Sequence, residues 1–212
     1  MRFVRLGVLA VMVAGLVACG GGDDADVTSD DAAATSTTAT TEPEVDVPQF
    51  IGDFDRVCTT QVGFKGTAAY EGGPGVHPAV FFTDHRGEGF VASAQTLPAG
   101  WKVEQDADFE DNSELQKAQL VACLDRVEEI PTGVMCDFED DGEQIKLELV
   151  DANFDLKVYA AATGGLKHEQ RIEARNRECP FIATFEKGDT TYVNEPTDDQ
   201  LINALKPVVT PA

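Results

Sequence analysis

The densest pattern that could do chemistry is acidic. Asp137, Glu139, Asp141 and Glu148 fall at positions 1, 3, 5 and 12 of a run with Gly142 at position 6. An EF-hand calcium loop spaces its oxygen ligands this way, with glycine at the sharp bend. Three features argue against that geometry. Position 3 is glutamate instead of Asp or Asn, the apolar residue comes one place late at Ile145, and no helical periodicity flanks the run. Asp141-Gly142 is also a favoured two-residue hairpin turn, because both central positions need positive φ. The expectation is therefore no dedicated metal site, with weak divalent-cation binding by an acidic turn as an alternative.

Raw material for nucleophilic catalysis is sparse. Ser93 and Ser113 are the only serines beyond residue 48, and neither sits in G-x-S-x-G. His77 precedes a proline, His85 sits in a turn-like stretch and His168 on a candidate hairpin. A hydrolase using His77 or His85 with a carboxylate is the enzymatic alternative, but no catalytic constellation is visible. Phosphate-loop, dinucleotide and haem motifs are lacking, so no cofactor is expected.

Cys19 stands apart from Cys58, Cys123, Cys136 and Cys179. Arg2 and Arg5 precede an uncharged, largely apolar run of 13 residues, 6–18. That is shorter than the roughly 20 apolar residues a membrane-spanning helix needs, and it fits a secretory signal peptide. Leu16-Val17-Ala18-Cys19, followed by three glycines, resembles the lipobox of bacterial lipoproteins. The resemblance implies that Cys19 receives a diacylglycerol and becomes the first mature residue. Residues 1–18 are then a lipoprotein signal peptide, and the chain sits on the extracytoplasmic face of the cell membrane, held through lipid at Cys19. Two acyl chains, at about 0.8 kcal/mol per buried methylene, give stable attachment.

Residues 19–48 form a tether. From Gly20 to Pro48 there are eight acidic residues, eight Ser or Thr, and no basic residue. Such a segment has little to bury, so disorder is expected, with a root-mean-square reach of roughly 30 Å. The whole chain of 212 residues carries a formal charge of −22, from 16 Lys and Arg against 38 Asp and Glu. Loss of Arg2 and Arg5 with the signal leaves 14 against 38, or −24. That field disfavours nucleic acid and anionic lipid headgroups as partners.

Residues 49–212 are expected to form a single globular domain. The fold class predicted is α+β, a mainly antiparallel β-meander with a short N-terminal helix, a C-terminal helix and two disulfides. Phe50, Phe54, Val57 and Cys58 give the first helix its stripe. Residues 79–83 and 90–94 read as strands, and Trp101 as a core or rim aromatic. Residues 105–112 are acidic and polar. Residues 113–127 fit a capped helix with Leu120, Cys123, Leu124 and Val127 as its stripe; alternatively residues 119–128 are a strand, which cross-strand matching favours. A hairpin at residues 134–149 pairs Phe138 with Ile145, Cys136 with Leu147 and Val134 with Leu149. Folding the preceding segment back through residues 128–131 sets Cys123 opposite Cys136. Cys123–Cys136 and, by remainder, Cys58–Cys179 are the expected disulfides; no C-x2-C pair supports a zinc site. Residues 155–163 and 166–174 read as a hairpin about Gly164-Gly165, and 181–186 as a last strand. Thr197 and Gln200 form a capping box for a helix that Pro207 stops.

Val57-Cys58, Ala68-Ala69-Tyr70, Gly75-Val76-His77-Pro78, Leu97-Pro98 with Trp101, residues 119–124, Cys136-Asp137-Phe138, Ala162-Thr163-Gly164 and Cys179-Pro180 occur in order. The series resembles an uncharacterised group of bacterial extracytoplasmic domains with spaced cysteines. The resemblance implies the strands and cysteine framework, and no activity; Asp137 departs from its plainer pattern. The expected function is a non-enzymatic binding or interaction module of the cell envelope, with an envelope protein or small ligand as partner.

Overall fold

A computed structural model describes residues 46–84, 87, 89–93, 95–103, 112–140, 142–186 and 188–212, apart from the Asp140 side chain. The signal segment, Cys19, nearly all of the tether, His85, Asp141 and most of the acidic stretch at 105–112 lie outside the described residues.

A long two-stranded ribbon forms the spine. β3 (Leu120–Asp140) runs antiparallel to β4 (Glu143–Ala160). β1 (Ala79–Asp84) lies parallel to the first part of β3, and β2 (Phe90–Ala92) runs antiparallel to β1. β5 (Leu166–Ala174) pairs with the second half of β4, and β6 (Thr191–Val193) lies parallel to its first half. The six-stranded sheet is thus mixed, which corrects the expected antiparallel meander. Parallel pairing needs long crossovers. The segments before β3 and after β5 supply them.

The expected 134–149 register is the observed one, and Gly142 turns the ribbon at φ +82°. The expected turn at residues 128–131 is absent, because β3 continues through it. Pro131 has no N–H for the ladder, and the strand answers with a bulge between Pro131 and Val134. There Thr132 Oγ1 donates to the Leu149 carbonyl and accepts from Val134 N–H at 3.1 Å, replacing ladder bonds.

That continuity corrects the disulfide pairing. Cys123 and Cys136 lie 13 positions apart on one strand, about 40 Å at strand rise. All four cysteines are paired, but as Cys58–Cys123 and Cys136–Cys179, with Cα separations of 5.7 and 5.5 Å.

Each sheet face has its own core. On one, α1 (Asp55–Thr60) and the 3-10 turn Ile51–Phe54 bring Phe54 and Val57 onto Val80, Phe82, Val121 and Cys123. Phe50, expected in that stripe, is exposed. On the other, α2 (Asp198–Val209) lays Leu201, Ala204, Leu205, Val208 and Val209 over Phe81, Leu120, Leu124 and Leu156. Trp101 is buried in this second core.

The Thr197–Gln200 capping box opens α2 as expected. Pro207 does not stop the helix: it occupies the last turn, and the helix runs to Val209. There the missing proline N–H removes only one bond, and Tyr70 hydroxyl and His77 N–H take up the Val208 and Val209 carbonyls. Residues 181–186 are loop, not strand; the last strand is β6.

Candidate functional site

The expected sites separate in space. Asp137, Glu139 and Glu148 share one face of the β3–β4 ribbon, each with its own neighbour. Asp137 takes a bond from Lys146 Nζ at 2.6 Å, Glu139 from Gln144 Nε2 at 3.3 Å, and Glu148 from Gly133 N–H at 3.2 Å. Strands flank the turn where an EF-hand has helices. Among the described residues no three His, Cys, Asp or Glu side chains gather as a metal site.

His77 is buried and structural. Its Nε2 lies 2.7 Å from the Gly73 carbonyl, which can only accept, so Nε2 carries the proton. Nδ1 lies 2.7 Å from Oε1 of Gln119, and the ring packs edge-on to Tyr70. Nε2 thus closes the 73–77 loop on itself, and Nδ1 contacts the Gln119 side chain, one residue before β3. His168 lies on β5 opposite Val158.

A row of carboxylates crosses the sheet on the α1 face. Asp125 stands opposite Asp155, and Asp155 opposite Arg171. Burial, then the Asp84 and Asp155 charges, push the Asp125 carboxyl above its ordinary value; Lys157 opposes them. The two bonds from Arg171, at 2.8 and 3.1 Å, hold Asp155 below its ordinary value. The signs follow from linkage. Ionised Asp125 weakens the fold at neutral pH, and the penalty fades as pH falls through its raised pKa. Asp155 contributes stability above an ordinary aspartate value of 3.8, lost as pH falls through its lowered pKa. Asp125→Asn should therefore stabilise and Asp155→Asn destabilise at pH 7, each by about 1 kcal/mol or less. Denaturant midpoints measured from neutral to strongly acidic pH should converge on wild type. Equal signs for the two variants would contradict the assignment.

A groove of about 870 Å³ opens on the α2 face. It exists because the ribbon outruns its neighbours. β1 covers β3 only as far as Leu124, and α2 starts only at Asp198. Beyond Phe154 the ribbon lacks the helix, and β2 on one side and the 182–193 segment on the other wall the gap. The Cys136–Cys179 disulfide roots that second wall on β3. Phe138 packs against Phe185 and Tyr192, with ring centroids 5.8 and 6.2 Å apart.

The rim is acidic: Asp84, Glu129, Glu186, Asp189, Glu195 and Asp198 line the groove. Arg126 is the one cation among its described lining residues, and it pairs with Glu129 at 3.2 Å. Burial, and then the Glu195 charge, hold the Tyr192 phenol above its ordinary pKa, so it stays a neutral hydroxyl. Phe181 and Ile182, read from sequence as strand, are 98% and 78% exposed, and Ile182 lines the groove.

No protein-family model, curated protein or solved structure matches this chain. The site is therefore read from its own chemistry.

Beside the groove, Asp151 is 2% exposed. It accepts from Asn194 Nδ2 at 2.9 Å and Asn176 N–H at 3.3 Å, with Arg177 at 3.4 Å. This knot fixes β6 and the 175–177 segment to β4. A smaller pocket of about 240 Å³ adjoins it and shares Tyr192 and Glu195 with the groove. Sequence reasoning missed the groove residues because they come from five strands, three loops and the first residue of α2. The one local signal was Phe181-Ile182, two apolar residues directly after Cys179-Pro180.

Proposed function

We propose that this chain is a lipid-anchored extracytoplasmic binding module, non-enzymatic, that presents the groove to a partner in the cell envelope. The observation that carries the reading is the groove itself: an open cleft floored by the buried Phe154, with the half-buried Phe185 and Tyr192 and several carboxylates among its lining residues. A binding surface needs apolar area to desolvate and polar groups to orient the partner, and this one has both. The two disulfides fit an oxidising compartment. No described helix is long and apolar enough to cross a membrane, and attachment in this reading falls to Cys19.

Cys19→Ser tests the anchor. The variant should leave the membrane fraction for the medium, or stay unprocessed, when cells are fractionated. Unchanged membrane fractionation would remove the lipid from the account. Binding is tested by a photo-crosslinking residue at Thr96, which lines the groove. In intact cells it should trap a discrete partner.

A further inference from the structure

Resting on the reading of the groove as a binding surface, we propose that its occupant is an extended polypeptide segment of a partner protein, with lysine or arginine alternating with apolar residues. Charge decides the sign. Glu195 and Asp198 bring negative charge to the groove, and Arg126, the one cation among its described lining residues, is already engaged by Glu129. A second copy of the chain, at −22, is repelled, and so is its own segment 20–48, which has no basic residue.

Shape and edges decide the form. β2 and β6 line the groove, and each pairs with one neighbouring strand only among the described residues. Short edges of this kind accept an added strand, whose backbone supplies affinity while alternate side chains supply specificity. Thr83 Oγ1 lies at the β1 wall, shielded from solvent and without a hydrogen-bond partner among the described residues. With period 2, an extended segment turns its apolar residues onto Phe154, Phe185 and Tyr192, and its basic residues reach Glu195 and Asp198. Ile182, with Phe181 beside it, forms an apolar lip at the loop wall.

The test uses the whole chain in zwitterionic nanodiscs and fluorescence anisotropy of a labelled Lys-Val-Lys-Val-Lys-Val-Lys peptide, with empty discs as background. The Lys peptide should bind with a dissociation constant on the order of 10 μM. Affinity should fall about tenfold between roughly 50 and 300 mM salt. Glu195→Gln with Asp198→Asn should weaken binding about fivefold, with the circular dichroism spectrum unchanged. No binding, equal binding of the Glu-Val counterpart, or unchanged affinity in the double variant would each overturn the inference. Spermidine displacing the peptide at equal concentration would also overturn it, assigning the groove to a small polyamine. If Thr96 still traps a partner in cells while the Lys peptide fails, the basic-segment inference alone falls. If neither occurs, the binding-module reading falls with it.

Discussion

Gly164→Ala should destabilise the domain by about 3–5 kcal/mol, among the largest effects of any single methyl group added to this chain. Gly164 sits at φ +70°, and a Cβ there would lie 1.9 Å from the Gln61 carbonyl oxygen. The turn after β4 packs backbone against backbone on the chain leaving α1. A Cβ at Gly63 would likewise fall 2.4 Å from Thr163 N, and Phe64 N–H donates to the Ala161 carbonyl at 2.8 Å. Neither backbone can retreat without opening the α1-side core around Phe54 and Phe64. Thermal unfolding with disulfides intact should show a Tm drop of roughly 10 °C or more. Gly52→Ala, where a Cβ meets nothing within 4 Å, serves as the neutral control. A drop in Gly164→Ala no larger than in that control would show that the two chains do not meet.

Removing Cys58–Cys123 by paired alanine substitution should cost about 2–5 kcal/mol. The bond closes a loop of 65 residues and holds α1 on the sheet face through a buried cysteine. A non-reduced peptide map should join Cys58 to Cys123 and Cys136 to Cys179. Loss of Cys136–Cys179 should act differently, because Cys179 is exposed and roots the groove wall. Its removal should weaken binding in the groove more than it lowers Tm. A map joining Cys123 to Cys136 would contradict β3 as one continuous strand.

Local chemistry was legible in the sequence; long-range pairing was not. The Asp141-Gly142 turn fixed the register of residues 134–149, because a two-residue hairpin leaves one pairing that puts Val134, Cys136 and Phe138 on a common face. The Thr197–Gln200 box marked the start of α2 for a similar reason: its bonds are local. Pro131 misled. It resembled the end of a strand, yet Thr132 fills the ladder positions that the bulge leaves open. The wrong turn there produced the wrong disulfides, since the apolar alternation of residues 119–128 fits either neighbour. The hairpin after β4 turns through residues 161–164 and not through Gly164-Gly165 alone, and this, with a one-residue shift after Val158, sets Asp155 against Arg171. Parallel pairing of β1 with β3 and of β6 with β4 leaves no local mark. The groove is assembled at those junctions, so its residues could not be gathered from sequence alone.

The most direct measurement is photo-crosslinking in intact cells from two positions of the anchored chain. One probe replaces Thr96 in the groove, and the other replaces Gln170, exposed on β5. A discrete adduct is expected from Thr96 and none from Gln170. Glu195→Gln with Asp198→Asn should lower the Thr96 yield at unchanged protein level. No adduct from Thr96, or equal adducts from both positions, would contradict the groove as the site where this protein meets its partner.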